Sequence, residues 1–186
     1  TINGIEESDF ILLIGTNPRY EATILNARIR KSYLKNNTKI ISINDLGDLT
    51  YPYESLDGQT QSIKDIFEGN NDISKQIKEA KNPSIIIGES LLKSNSVEYL
   101  LNTIKEFLTK NNKITNDWNS FNILSCDAST VGNYDLGIIN QDNKLLDDLR
   151  EHKFDIVYLA GRDNLDFDKK DEFIIYQGSH GDKGAE

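Results

Sequence analysis

Short runs of apolar, mostly β-branched residues recur along the chain without alternating with polar residues. Strands that are buried on both faces have this pattern, as in a parallel sheet. The runs are residues 9–15 (DFILLIG), 39–44 (KIISIN), 84–88 (SIIIG), 155–161 (DIVYLAG) and 173–177 (FIIYQ). Each run is therefore predicted to form a strand.

The segments between these runs carry apolar residues at helical spacing. Asp72 is expected to cap one helix, and Asn95 with Glu98 to form a capping box at the start of another. The predicted apolar faces are Ala22, Leu25, Ile29 and Tyr33; Ile73, Ile77 and Ala80; Val97, Leu100, Leu101, Ile104, Phe107 and Leu108; and Leu145, Leu146 and Leu149. Alternating strands and helices predict an α/β fold, a doubly wound and mostly parallel sheet flanked by helices, as a single domain over 1–186.

Composition narrows the classes of partner. The chain has 186 residues, a formal net charge of −9 and a pI near 4.8, which argue against binding to nucleic acid or to an anionic membrane surface. No apolar run approaches the length of a membrane span, so no membrane insertion is expected. The chain begins at Thr1 and contains no methionine, so we expect it to be an internal piece of a longer protein.

Three predicted strands end in a glycine followed by polar residues, at 15–18 (GTNP), 88–90 (GES) and 161–164 (GRDN). Ligands of open parallel sheets bind outside the carboxyl ends of the strands, where glycine allows close approach of a backbone. A plain turn explains the same glycines. Neither G-x-G-x-x-G nor a Walker A sequence is present, which counts against an unrelated nucleotide-binding module.

Other candidate catalytic groups carry weaker signals. Cys126 is the sole cysteine, so it forms no internal disulfide or cysteine-rich metal site, and we expect a buried structural thiol. His152 lies in a charged segment and is expected to be solvated. Ser179, His180 and Asp182 are sequence neighbours, which does not make them a catalytic triad. A solvated acidic loop is favoured over a metal site for Asp163, Asp166, Asp168, Asp171 and Glu172.

A basic stripe is the most distinctive surface feature. Arg28, Lys31 and Lys35 share one side of the first long predicted helix, with Arg19 and Arg30 nearby. Such a cluster on an acidic chain is either a solvated face or a docking site for an acidic partner. Arg19, Arg28, Lys31 and Lys35 are our candidates for partner contact; no catalytic, cofactor-binding or metal-binding residue is predicted.

Long segments resemble a known family. They are 4–34 (GIEESDFILLIGTNPRYEATILNARIRKSYL), 48–51 (DLTY), 117–118 (DW) before 122–124 (NIL), 132–137 (GNYDLG) and 173–178 (FIIYQG) followed by 180–182 (HGD). Together they resemble the C-terminal region of the largest peripheral-arm subunit of respiratory complex I, the bacterial NADH–quinone oxidoreductase; in mitochondria this is the large iron–sulfur subunit. The chain departs from the pattern at Thr23, where the family usually has proline.

The resemblance implies a vestigial domain of the molybdopterin oxidoreductase type, similar to formate dehydrogenase. It implies a structural role in an arm that passes electrons from NADH to quinone, without a redox centre in this segment. The subunit's iron–sulfur clusters lie on N-terminal cysteines that this chain lacks. Expected partners are other peripheral-arm subunits, at the inner membrane on the bacterial cytoplasmic or mitochondrial matrix side.

Two further expectations follow from the resemblance. In cofactor-binding relatives the Gly–Thr–Asn–Pro loop approaches the guanine-dinucleotide arm of the cofactor, so the alternative function is a molybdopterin-cofactor-binding fragment of a formate dehydrogenase-like oxidoreductase. The family also continues into another strand beyond Glu186, so we expect the domain to be truncated at its C-terminal end.

Overall fold

The computed structural model describes residues 2–69, 71–127, 129–138, 144–161 and 168–178. The chain divides into two compact units, Thr1–Thr130 and Val131–Glu186. Two compact units can belong to one domain, so the single domain over 1–186 stays a prediction.

The first unit alternates strands and helices after an N-terminal 3₁₀ turn. Its elements are the turn Asn3–Glu7, β1 Phe10–Ile14, α1 Pro18–Glu21, α2 Thr23–Asn36, β2 Lys39–Ile43, β3 Glu54–Ser55, α3 Thr60–Phe67, α4 Asp72–Glu79, β4 Pro83–Gly88, α5 Glu89–Leu92, α6 Val97–Lys110 and β5 Phe121–Leu124. Helix α7, Thr130–Asp135, follows at the boundary. The second unit contains α8 Leu145–Arg150, β6 Ile156–Ala160 and β7 Phe173–Gln177.

The first unit is built on a five-stranded sheet in the order β3-β2-β1-β4-β5. Every neighbouring pair is parallel, with Phe10 of β1 opposite Lys39 of β2 and Pro83 of β4. The strand order reverses between β1 and β4, which defines a topological switch point there. The predicted α/β class, with a mostly parallel sheet flanked by helices, is confirmed.

Apolar clusters cover both faces of this sheet, as unbroken strand hydrophobicity requires. On one face, Leu12 and Ile85 pack with side chains of α3, α4 and α6, including Ile66, Ile77 and Ile104. On the other face, Ile11, Leu13, Ile40 and Ile86 pack with Ile29 of α2 and with Leu49 and Tyr51 of the loop after β2.

Buried polar groups on α2 fix the helix against its neighbours. The Asn26 amide donates to Leu49 O at 3.0 Å, and its oxygen accepts from the Tyr51 hydroxyl at 2.7 Å. Burial raises the pKa of Tyr51 and keeps its proton available for this bond. The buried face of α2 therefore includes polar Asn26 and Ser32 beside Ile29, which apolar spacing alone does not reveal.

The helix starts differ from the predicted caps. The N-cap of α4 is Asn71, whose side chain accepts from Ser74 N at 2.9 Å, and not Asp72, which lies inside the first turn. The predicted capping box of Asn95 and Glu98 is wrong, because α6 begins after Ser96 and no side chain caps it. In α4, the side-chain oxygens of Asn71 and Asp72 are both suitable N-cap acceptors, so the sequence alone does not show which of the two residues caps the helix.

The second unit pairs β6 and β7 in a separate parallel two-stranded sheet, with Ile156 opposite Phe173. Both strands were predicted. Their side chains alternate between more and less exposed, so the sheet has one more exposed face. The predicted apolar face of α8 is only partly buried, since Leu149 is buried whereas Leu145 and Leu146 are exposed.

Candidate ligand site at the switch point

The loops after β1 and β4 lie in close contact at the switch point. A Cβ on Gly88 would overlap the carbonyl oxygen of Gly15 and the Cβ of Thr16. A Cβ on Gly15 would lie 2.6 Å from Ser90 Oγ and 2.9 Å from Leu91 N, and the φ of Gly15 is +63°. The two glycines therefore allow one loop to approach the other, which favours the structural explanation of these residues.

The carboxylate of Glu21, at the end of α1, accepts hydrogen bonds from polar groups of the loop after β1. One oxygen accepts from the Thr16 hydroxyl at 2.6 Å, and the other accepts from Asn17 N at 3.2 Å. Asn17 is the N-cap of α1, where its side chain accepts from Arg19 N at 3.1 Å. A carboxylate that reaches back to its N-cap amide resembles one half of a capping box, extended by one residue.

Glu89, which follows β4, likewise accepts hydrogen bonds from residues that follow β5. Its Oε1 accepts from Cys126 N at 2.8 Å and from Ser125 Oγ at 3.4 Å. On the other side of the switch point, Ser90 Oγ donates to Gly15 O at 2.6 Å. Donors that face a ligand in an open switch point are thus bonded within the chain here.

Cys126 lies beside this network and is exposed, so the expected buried thiol is wrong. Partial desolvation, with the negative charges of Glu89 and Glu21, raises the pKa of the thiol. A raised pKa disfavours the thiolate that a nucleophile or a metal ligand requires.

Three of the predicted basic contact residues are ion-paired within the chain. Arg19 Nη1 lies 2.6 Å from Asp48 Oδ2, Arg28 Nη1 2.5 Å from Glu6 Oε1, and Lys31 Nζ 2.9 Å from Glu6 Oε2. Hydrogen bonding from Lys31, with the charge of Arg28, lowers the pKa of Glu6. Hydrogen bonding from Arg19 and from Thr50 N likewise lowers the pKa of Asp48.

The other basic residues near the stripe differ in their contacts. Arg30 Nε donates to Thr50 O at 3.2 Å. Lys35 is exposed, forms no ion pair with a described residue and borders a shallow hollow with Asp9 and Lys81. Partner contact through Arg19, Arg28, Lys31 and Lys35 stays a prediction, and Lys35 is the one of these four without an ion pair to a described residue.

His152 is not solvated as expected. Its Nδ1 lies 2.5 Å from Glu172 Oε1, and the Glu172 side chain is 3% exposed. Hydrogen bonds from Lys170 N and from its own amide, together with His152, lower the pKa of Glu172 to about 2. The solvated acidic loop is therefore wrong for Glu172, while Asp168 and Asp171 are exposed as expected.

Several predicted features lie outside the described residues. They are Arg162, Asp163 and Asn164 of the third glycine loop, Asp166, and the group Ser179, His180 and Asp182. Within the described ranges, no group of three or more His, Cys, Asp or Glu is placed to hold a metal ion.

Thr23 occupies the first position of α2, after Ala22 as N-cap. Proline is favoured at this position in helices, because the amide there needs no intrahelical acceptor. The expected departure from the resembled pattern at Thr23 therefore falls at a place where threonine and proline both fit the helix start.

The sequence matches the molybdopterin oxidoreductase family over residues 1–186. The chain belongs to that family. It is 35% identical over 187 residues to the mitochondrial NADH dehydrogenase (ubiquinone) iron-sulfur protein 1 of Solanum tuberosum, covering 100% of this chain and 25% of that protein. It is 39% identical over 184 residues to the NADH-ubiquinone oxidoreductase 75 kDa subunit of Reclinomonas americana, covering 97% of this chain and 26% of that protein.

A third relative extends the same pattern. The chain is 38% identical over 189 residues to the mitochondrial NADH-ubiquinone oxidoreductase 78 kDa subunit of Candida albicans, covering 100% of this chain and 25% of that protein. The resemblance to the large complex I subunit is thus confirmed, and the chain spans about a quarter of the length of these curated relatives. Among the described residues, none of the helices is long and apolar enough to cross a membrane.

Proposed function

We propose that this molybdopterin oxidoreductase-type segment is a structural part of a complex I subunit and carries no redox centre of its own. The parent subunit would take part in electron transfer from NADH to quinone, with other peripheral-arm subunits as partners. Its place would be the peripheral arm at the inner membrane, on the mitochondrial matrix or bacterial cytoplasmic side. The relatives named above, all subunits of NADH dehydrogenases, support this assignment.

One observation carries the structural role: described donors at the switch point are hydrogen-bonded to the chain's own groups. Glu21 and Glu89 accept the hydrogen bonds of the strand-end donors, and the backbone of each glycine loop fills the space beside the other. A dinucleotide arm is anionic and needs free donors at such a crevice. These residues do not fit such a cofactor arm, because two carboxylates already accept hydrogen bonds from donors that an anionic ligand would need here.

Metal and pterin analysis of the purified chain tests the proposal. We expect no stoichiometric molybdenum or iron, no extractable pterin fluorophore and no oxidation of NADH. About one molybdenum per chain together with a pterin would contradict the structural role and favour the cofactor-binding alternative. As a control, the same metal and pterin analysis is made on a Glu21→Gln/Glu89→Gln variant, which lacks both carboxylate charges and keeps the side-chain size.

A second measurement addresses assembly. Deletion of this segment from the full-length parent subunit is expected to reduce incorporation of the subunit into the large respiratory complex, measured by native electrophoresis. Normal incorporation of the deleted subunit would contradict a structural role.

A further inference from the structure

An open groove lies on the α2 side of the five-stranded sheet, beside β4 and β5. Its volume is about 530 Å³. Ile86 and Leu124 line it from the strands, Ile5 and Leu25 from the N-terminal turn and α2, and Trp118 from the loop before β5. All of these residues belong to the first unit.

Among the described residues of the first unit, the groove marks an incompletely covered part of the sheet at β5. The opposite face is covered by α3, α4 and α6. On the α2 side, the cluster around Ile29, Leu49 and Tyr51 covers β1 and β2 and reaches Ile86 of β4, whereas β5 contributes only the half-buried Leu124 to it. Parallel sheets are ordinarily covered on both faces, and the usual covering element is a helix.

The rim of the groove is acidic. Glu7 and Asp117 line it, both are exposed, and neither forms an ion pair with a described residue. The lining contains no lysine or arginine. Arg28 and Lys31, two cations at the nearby turn, are both bound by Glu6. Lys35 and Lys81 share a separate hollow with Glu7 but do not line the groove.

We propose that this groove binds an amphipathic helix of another polypeptide, with an apolar stripe flanked by lysine or arginine. The stripe would contact the accessible apolar lining at Leu25, Ile123 and Leu124, as in other helix-in-groove complexes. The flanking cations would face Glu7 and Asp117, which set the charge of the partner. This inference rests on the proposed structural function and names the chemistry of one partner surface.

Trp118 provides a direct readout of binding. It is the only tryptophan of the chain and it lines the groove, where its indole donates to Pro83 O at 2.8 Å. The full chain is titrated with three tryptophan-free synthetic helices of equal length. The first has an apolar stripe with lysine flanks, the second the same stripe with glutamate flanks, and the third lysine flanks with the stripe changed to serine.

Saturable change of Trp118 fluorescence is expected with the first helix alone in the micromolar range. The second and third helices are expected to bind at least about tenfold more weakly, which corresponds to about 1.4 kcal/mol. Binding of the first helix should also weaken as salt rises, because rim charges are screened.

Charge-reversal variants locate the site. Glu7→Lys/Asp117→Lys should weaken binding of the first helix by about tenfold or more. The matched control is Glu79→Lys/Glu98→Lys, which makes the same change in net charge at exposed positions of α4 and α6, on the opposite face of the sheet. The control should bind like the unaltered chain, and circular dichroism checks that both variants are folded.

Three results would overturn the inference: no saturable binding of the first helix, equal binding of the first and third helices, or equal weakening by the rim and control substitutions. Failure of the groove is distinguishable from failure of the proposed function. If the peptide does not bind but deletion of the segment still reduces incorporation of the parent subunit, the structural role stands without this groove.

Discussion

At the scale of single residues, Gly15 and Gly88 of the switch point allow the close packing of the two loops to be tested separately from ligand binding. A side chain at Gly88 would overlap the loop that follows β1, and the overlapped atoms include the backbone of Gly15. Substitution of Gly88 by a larger residue therefore tests the packing of the loops and does not depend on any cofactor.

Gly88→Ala is predicted to lower the free energy of unfolding by about 1–3 kcal/mol, the usual cost of overpacking a core. Thermal or urea unfolding followed by circular dichroism measures the effect. The matched control is Gly132→Ala in α7, where an added Cβ meets nothing within 4 Å. There we expect unchanged stability or a gain of about 0.5–1 kcal/mol, because alanine favours the helix. Equal effects at the two positions would contradict the packing argument.

The residues of this site were only partly predictable from sequence. Strand-end glycines and the Asn17–Pro18 start of a helix are visible as local signals. The contact of Glu89 with Cys126 N joins residues 37 positions apart, and no local pattern indicates it. Glu21, four residues after the N-cap Asn17, had a local signal in its near-capping-box spacing.

At the scale of elements, Glu172 and His152 connect the end of α8 to the start of β7. They lie 20 positions apart in sequence. His152 has a φ of 57°, in the left-handed region that often ends helices. This contact therefore joins two elements of the second unit.

Acid is predicted to weaken this contact in a defined pH range. The pKa of Glu172 falls from its ordinary value of 4.5 to about 2 in the folded chain, so the carboxylate stabilises the fold above about pH 4.5. That stabilisation is lost as the pH falls from about 4.5 towards about 2. Glu172→Gln should therefore increase amide exchange in β7 relative to the unaltered chain near neutral pH, with the difference disappearing towards about pH 2.

Asp171→Asn is the matched control, because Asp171 is the exposed neighbour of Glu172. It should leave the exchange of β7 unchanged over the same pH range. A difference for Glu172→Gln that does not depend on pH would show that size and packing, and not charge, determine the role of this side chain.

The central strands of the five-stranded sheet were predictable because of their burial. β6 and β7 were also predicted from apolar runs, but most of their side chains are exposed or half-buried, so the expected burial on both faces is wrong for these two strands. β1 and β4 are buried at every position, which produces uninterrupted apolar runs in the sequence. β5 was not predicted, since it is an edge strand with half-exposed side chains and Asn122 interrupts its apolar residues. β3 has two exposed residues and no hydrophobic signal at all.

At the scale of the whole molecule, the buried apolar residues are distributed unequally. Both apolar clusters of the sheet belong entirely to the first unit. In the described part of the second unit, the buried hydrophobic side chains are Leu149 and Leu159. Hydrophobic burial is the main favourable term in folding, so the two units differ in their capacity to fold alone.

Residues 1–130 expressed alone are predicted to fold and to unfold cooperatively, measured by circular dichroism and by the dispersion of amide resonances. Residues 131–186 alone are expected to remain unfolded, because short chains with few buried side chains do not offset their conformational entropy. A cooperative unfolding transition in 131–186, or its absence in 1–130, would contradict this assignment of the core.

The carboxylates of the switch point also act as tethered competitors. A group attached to the chain beside its donors has an effective concentration in the millimolar range or above, whatever the concentration of free ligand. A phosphate from solution would have to displace Glu21 from Thr16 and Asn17, and Glu89 from Cys126, while approaching two negative charges. Glu21 and Glu89 are therefore expected to oppose the binding of anions at this edge of the sheet, and their replacement by glutamine would remove both competing charges.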